Sequence, residues 1–415
     1  MTLKSSASFF QTYFDYVGES EAPKSYHRWC AISVVGTLLG RQFSFPFGHT
    51  DLYPSQYVLL MGGAGVRKSS AIGIAQKLAA KAGFKKFADD RLSKEMFLKS
   101  MMSFGTPIVE DDDDLEDLLD MPIDGAAAEK YIVADEFLDF LGMNNLEFIT
   151  MLTKLWDSKD QYTHPKLHGD DVIVKKPTVN LLAGSTLTNL TLALPPEVVG
   201  HGFLTRIILV HAESNGHKIT WPKRPCPDKE FELVSHLETM QDNIRGTATL
   251  TPAARELFDK MYKQFVPLED ARFVNYSNRR FTHLLKLSLC LAGMRHSTVV
   301  EEIDALEANT ILHYAECKMP KALGEFGKGK YSSVQTDVLE ILTHSPRPLS
   351  VEELWRQVSQ DLTKQNELIE IVKGLIIAGK VQTGPKGKGL IAKTHIREEW
   401  GDGLILPNFM DLEEM

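Results

Sequence analysis

Nine consecutive residues, Gly62, Gly63, Ala64, Gly65, Val66, Arg67, Lys68, Ser69 and Ser70, carry the most legible chemistry of this chain. Glycines let a turn wrap closely round an anion, a lysine neutralises it, and a hydroxyl next to the lysine can join the shell of Mg²⁺. The pattern suits the β- and γ-phosphates of a nucleoside triphosphate, if a strand enters the loop and a helix leaves it. One residue departs from the usual order of Gly, any four residues, Gly-Lys-Ser/Thr: Arg67 stands where the second glycine belongs. It either points out of the loop or adds a cation beside the nucleotide.

A pair of carboxylates comes next. Tyr131–Ala134 is apolar and ends in Asp135 and Glu136. Acidic residues often terminate strands, but after a phosphate loop Asp135 is expected to hold the Mg²⁺ shell, and Glu136 to orient and deprotonate the attacking water. A third apolar run, Val179–Gly184, ends at Ser185 and Thr186, either of which could contact the γ-phosphate or the lytic water. Arg206 then precedes the apolar run Ile207–Val210. It either caps the sheet or reaches, across a subunit boundary, the γ-phosphate bound by a neighbour.

These residues need a scaffold. The run Tyr57–Met61 reads as the entering strand, and 70–78 as the departing helix. Short apolar runs alternate with helical patterns from about residue 42 to 246, which predicts a mainly parallel sheet covered by helices. Aromatic and aliphatic residues recur at helical spacing from Ser8 to about Leu39, and 250–319 reads as continuous helices beginning at Thr251-Pro252. A Gly- and Lys-rich stretch around 318–330 reads as a linker. Beyond it, three amphipathic helices and a hairpin with a basic tip, bearing Lys386 and Lys388, follow the order of a winged helix-turn-helix. The expected division is an N-terminal helical segment (1–50), an α/β ATPase core (51–246), a helical lid (247–319), a linker (320–332), a winged helix-turn-helix (333–396) and an acidic tail (397–415).

The 415 residues are 43% hydrophobic and 24% charged, with a formal net charge of −9. That balance excludes a globally basic coat for nucleic acid and leaves room for a local basic channel. Much of the acidity lies in Glu110–Asp114 and in the tail Asp411–Glu414, and the former reads as a solvated loop rather than a metal site. Cys30, Cys226, Cys290 and Cys317 are far apart, as buried thiols are, with no zinc or disulfide spacing. No apolar stretch reaches the roughly 18 residues of a membrane span, and the N-terminus lacks an export pattern, so a cytoplasmic location without membrane contact is expected.

In the order of these motifs the chain resembles the AAA+ ATPases, specifically the ring-forming replicative helicases of phages, plasmids and other mobile elements related to superfamily 3 and minichromosome maintenance helicases. The resemblance spans roughly Tyr53 to Tyr314. It implies an AAA+ P-loop core with ATP and Mg²⁺ bound between subunits of a homo-oligomer, a hexamer, round single-stranded DNA. In that family an arginine finger occupies a segment like Phe203–Ile207, and a second sensor arginine lies on a lid helix similar to Asn278–Leu287; the role passes to Arg279, with Arg280 as the near alternative. A hairpin in the interval 161–174 would project into the pore, with Lys166 and His168 on the DNA backbone; by its residues alone, this is equally a surface hairpin. The winged helix would hold DNA or a replication partner. A helicase loader, a transposition regulator or a protein-remodelling ATPase would use the same core without unwinding. With Arg206 and Arg279 assigned to the phosphates, Arg67 is expected to point away from them, to the adenine side or a neighbouring subunit.

Overall fold

The structure is a computed structural model that describes residues 6–18, 20–102, 127–165, 171–194, 198, 202–214, 216–268, 270–324, 332–345, 347–359, 362, 364–377, 381–384, 389–392 and 404–406. Two compact units divide the chain, one formed by residues 1–324 with 403–415, the other by residues 325–402.

In the first unit, α1 (Ser6–Val17) and α2 (Lys24–Leu39) open the chain. Gly18, at φ 60°, and Pro23, at the N-cap of α2, split what the sequence pattern reads as one helical region. Helix α2 is buried on nearly all sides, as befits a helix apolar all round. It packs on the sheet, on α1 and on the helix after the glycine-rich loop. An antiparallel hairpin of β1 (Phe43–Phe47) and β2 (Thr50–Leu52) follows.

The central sheet comprises β3 (Tyr57–Met61), β4 (Glu129–Ala134), β7 (Thr178–Ser185) and β8 (Ile207–His211), in the order β4-β7-β3-β8 and parallel throughout. Between β4 and β7 the chain makes an outlying antiparallel hairpin, β5 (Gln161–His164) with β6 (Val172–Lys175). The fold is therefore mixed α/β. Strands β3 and β7 are buried at every position, the pattern of a parallel sheet covered on both faces. Strand β7 lies between the acidic strand β4 and the loop strand β3. Strand order is decided by the crossovers, and a local apolar run carries no record of it.

Helix α3 (Lys68–Lys81) packs against α2, β4 and β7. It ends where Gly83, at φ 90°, turns the chain and Phe84 N–H bonds back to the Ala79 carbonyl. The helices Pro252–Gln264, Val274–Met294 and Glu302–Leu323 pack on one another, and the last lies along β8, so the predicted lid belongs to the same compact unit as the sheet. The last helix also carries Pro320 inside it and runs to Leu323, past the predicted start of the linker. Burial of Met319, Ala322 and Leu323 holds that final turn against the missing proline N–H. Residues 404–406, predicted as part of an acidic tail, return to this helix: Asn309 Nδ2 donates to the Leu404 carbonyl at 2.8 Å, and Leu406 N–H donates to Thr310 Oγ1 at 3.0 Å.

The second unit has helices Ser332–His344, Val351–Val358 and Gln365–Ile377 and an antiparallel pair, Val381–Thr383 with Leu390–Ala392. Val334, Val338, Leu354, Leu368, Val372 and Leu390 are among the residues that form its core. Ser350 and Glu353 close a reciprocal capping box at the start of the middle helix. The basic tip with Lys386 and Lys388 lies outside the described residues. No helix among the described residues is long and apolar enough to cross a membrane.

Candidate functional site

Parallel strands bring their carboxyl ends to one edge. Met61 is level with Ser185 on one side and with His211 on the other, and Ala134 is level with Ala183. The residues just after those positions therefore converge, which is where open α/β sheets present ligand sites.

The loop leaving β3 is fixed at its base. Tyr26 of α2 donates its phenol to the Met61 carbonyl at 2.7 Å, with the Ala212 carbonyl at 3.2 Å. A Cβ on Gly62 would fall 2.5 Å from that phenol oxygen and 2.6 Å from the Ala212 carbonyl, so only glycine fits. Around Gly65, at φ 83°, a Cβ would meet nothing within 4 Å, and around Gly63 only Val66, so the mouth of the loop is open. The Lys68 side chain turns back into the loop, its ammonium donating to the Gly62 and Gly63 carbonyls at 2.9 Å each. Burial lowers the pKa of that ammonium, and the negative charge of Glu136 opposes the shift. Ser69 and Ser70 are exposed on the first turn of α3, and Ala64 is exposed in the loop while Val66 is buried.

Arg67 is the N-cap of α3 and holds φ 60°, ψ 29°, the left-handed region that glycine enters without penalty. For a residue with a Cβ this conformation costs roughly 1–2 kcal/mol. Its side chain is half exposed, and Nε meets Glu21 Oε2 at 2.5 Å. The other oxygen of Glu21 accepts the Ile219 N–H at 2.8 Å. That backbone bond first, and Arg67 second, hold the Glu21 carboxyl below the usual range.

At the end of β4, Asp135 and Glu136 stand side by side. The backbone of Gly184 passes so close that a Cβ there would lie 2.6 Å from the Asp135 carbonyl oxygen and 3.4 Å from Lys68 Cβ. Ser185 Oγ lies 3.0 Å from Glu136 Oε1 and 3.1 Å from the Thr186 carbonyl, with one proton to give. The two hydroxyls that the sequence left equivalent are thus distinguished. Ser185 faces Glu136, whereas Thr186 accepts the Asn189 N–H at 3.2 Å as the N-cap of the helix Leu187–Ala193. Partial burial and then the negative charge of Asp90 raise the Asp135 carboxyl above its ordinary value. Asp90 escapes sequence reasoning. It reaches Asp135 because residues 86–88 pair alongside β4 through Lys86, Phe87 and Ala88, and no motif marks it.

Could this edge hold a triphosphate and Mg²⁺? No group of three or more His, Cys, Asp or Glu among the described residues converges on a cation. That suits magnesium, which is commonly bound by one or two protein oxygens together with substrate phosphates. The open loop, the inward Lys68, the exposed Ser69 hydroxyl and Asp135 form a donor set of that kind.

Arg206 and Arg279 lie elsewhere. Arg206 ends a short turn, Leu204–Arg206, immediately before β8, where Ile207 is level with Tyr57, the first residue of β3. It therefore occupies the amino edge of the sheet, about 13 Å from the loop end at roughly 3.3 Å per residue. There its guanidinium donates to both carboxylate oxygens of Asp157, at 3.0 and 3.1 Å, and to the Gly202 carbonyl at 2.9 Å. Arg279 meets the same Asp157 at 3.3 Å, and both arginines lie over the Trp156 ring. Lys286, fully buried, adds a third cation 4.0 Å from that ring centroid, and burial pulls its pKa down to about 7. His283 donates its Nε2–H to the Thr205 carbonyl, 2.9 Å away, and burial keeps the ring neutral with a pKa of about 3. Arg280, the alternative to Arg279, is committed to a buried pair with Glu316 at 2.7 Å and to Asn309 at 2.9 Å. The sequence reading assigns Arg279 to the phosphates as a second sensor; in the fold it shares Asp157 with Arg206. Trp156 and Asp157 carry no sequence signal beyond the close of an apolar helix, and Lys286 none beyond a lone charge within another.

The hairpin strands β5 and β6 pair with His164 opposite Val172. Lys166 and His168 at its tip lie outside the described residues. Beneath its base is a cavity of about 290 Å³, bordered by Lys154, Asp157, Lys159, Tyr162 and Thr163 among others. No protein-family model matches the chain, and no curated protein matches it.

Proposed function

We propose that the chain is an AAA+ P-loop ATPase that binds ATP with Mg²⁺ at the edge carrying Gly62–Ser70, Asp135 and Glu136. Its hydrolysis would drive movement along single-stranded DNA, in a ring of identical subunits, a hexamer, serving replication of a phage or mobile element. The observation that carries the nucleotide half is the buried Lys68 ammonium, turned onto two loop carbonyls beneath an open glycine mouth. The Ser185–Glu136 contact on the neighbouring strand ends supports it. The DNA half rests on the hairpin at 161–175 and on the second unit, whose three helices followed by an antiparallel pair have the order of a winged helix-turn-helix.

In this reading Lys68 exchanges its carbonyl partners for phosphate oxygens, and the loop N–H groups and the start of α3 add partial positive charge. Ser69 and Asp135 would hold magnesium, which would supply further neutralisation of the phosphate oxygens. Glu136 takes the proton of the attacking water, and Ser185 sets the direction of its carboxylate. Arg206, a strand's length from the loop of its own chain, serves the γ-phosphate of a neighbouring subunit.

The test is direct. ATP binding and DNA-stimulated hydrolysis are expected of the wild type and lost in Lys68→Ala, and the wild type should displace a strand from a forked duplex. ATP affinity unaffected by Lys68→Ala would overturn the site. Hydrolysis without displacement would favour a non-unwinding switch, such as a loader or transposition regulator.

A further inference from the structure

The cavity under the hairpin has two properties that point to an anion. Lys154 and Lys159 face it, and neither ammonium has an ion-pair or hydrogen-bond partner among the described residues. Its carboxylate, Asp157, is already engaged by Arg206 and Arg279. The hydroxyls of Tyr162 and Thr163 and the amide of Gln161 complete a wall able to donate hydrogen bonds. The cavity is therefore cationic on balance, although the whole chain is acidic.

Asp157 is also tied to the hairpin by a short, stiff path. Three residues separate it from Gln161, where β5 begins. Among them Ser158 holds φ 47°, a left-handed conformation strained for a residue with a Cβ. Arg41 clamps the same segment, donating to the Ser158 carbonyl at 2.8 Å and to Asp160 at 2.8 Å. At the other end, Lys176 N–H donates to the Asp160 carbonyl at 2.7 Å, closing the foot of the hairpin. A displacement at the foot of β5 has little slack to absorb it before Asp157. Arg206, meanwhile, keeps only a tenth of its side chain exposed while Asp157 holds it.

Resting on the ATPase reading above, we propose that this cavity seats a backbone phosphate of single-stranded nucleic acid, and that Asp157 is a positioning residue that holds Arg206 until the seat is filled. A phosphate beside Asp157 adds a like charge to the carboxylate and offers the arginines a second counter-ion. Both effects loosen Arg206 from Asp157 and let it reach out of the subunit. Contacts to phosphate and hydroxyl groups read no base, so the seat takes single strands without sequence preference.

Two variants test this in the full chain, with a fluorescent oligothymidylate as probe. Lys154→Gln with Lys159→Gln should bind it about tenfold more weakly, the scale of lost charge-assisted hydrogen bonds. The salt slope of log affinity should fall by about 0.7 for one phosphate lost from the footprint. ATP turnover without DNA should stay at the wild-type rate. Asp157→Asn should raise DNA-free turnover and bring the ratio of DNA-stimulated to DNA-free turnover towards one, with oligonucleotide affinity equal to or above that of the wild type, because the like charge beside the phosphate is gone. Unchanged affinity in the lysine variant overturns the seat. A folded Asp157→Asn protein, judged by an unchanged melting temperature, that keeps the wild-type ratio or loses all turnover overturns the holding role. If Asp157→Asn fails to fold, Asp157→Glu replaces it: a longer carboxylate that keeps the charge should retain the stimulation ratio, and its loss would count against the proposal. Wild-type protein that neither hydrolyses ATP nor binds the oligonucleotide overturns the proposed function as well, whereas normal wild-type behaviour with silent variants overturns this inference alone.

Discussion

Ser185 Oγ stands 3.0 Å from Glu136 Oε1, on strand ends brought together by β7 lying next to β4. A neutral donor at that distance fixes the rotamer of a carboxylate without neutralising it. Ser185→Ala should therefore leave ATP affinity within about twofold and slow single-turnover hydrolysis by roughly one to two orders of magnitude, less than the roughly 10²–10⁴-fold of a general base itself. Glu136→Gln should bind ATP and hydrolyse almost none. Equal turnover in wild type and Ser185→Ala would show that the serine does not orient the base.

Arg67 offers a clean comparison of two replacements. Arg67→Gly and Arg67→Ala both lose the half-exposed pair with Glu21, a contact of the kind worth little. Only glycine accepts φ 60° freely. The glycine variant should be more stable than the alanine variant by about 1 kcal/mol, read from urea denaturation, and both should keep nucleotide affinity. A loss of ATP affinity in Arg67→Gly would instead place the guanidinium among the phosphate ligands.

The amino-edge cluster makes stability depend on pH in two windows. Lys286, near 7 in the fold against an ordinary value of 10.5, binds its proton more weakly folded than unfolded. Stability should therefore rise as pH goes from about 7 to 10, and Lys286→Met should flatten that rise. His283, near 3 in the fold against 6.5, is held neutral. Its contribution is intact above about pH 6.5 and declines as pH falls towards 3, because the unfolded chain takes up the proton first. Urea midpoints across pH 4–10 would check both signs.

Under the proposed function Arg206 would not serve phosphates bound at its own Lys68, since the two residues sit at opposite edges of one sheet. Arg206→Ala and Lys68→Ala should each be inactive alone, yet a mixture should regain part of the turnover, because some interfaces then pair an intact loop with an intact arginine. A mixture as inactive as its components would rule out a shared site.

The local elements were legible in the sequence, and their distant partners were not. The loop 62–70, the carboxylates after β4 and the polar end of β7 are contiguous signals, and their convergence follows from parallel strands. The separate role of Thr186 was also within reach, because a threonine opening a helix three residues before Asn189 is a capping pattern. What stayed hidden depends on distant partners. Asp157 meets Arg279 across 122 residues of chain, and Asp90 reaches Asp135 only because residues 86–88 run beside β4. Arg279 lies in the second turn of the helix Val274–Met294, and charge type does not say which end of the sheet a helix will reach.

The return of residues 404–406 to the helix Glu302–Leu323 gives the second unit two moorings on the first. A terminal domain parts from its neighbour when the chain is cut once, but here two stretches of backbone join the units, and separating them takes two cuts.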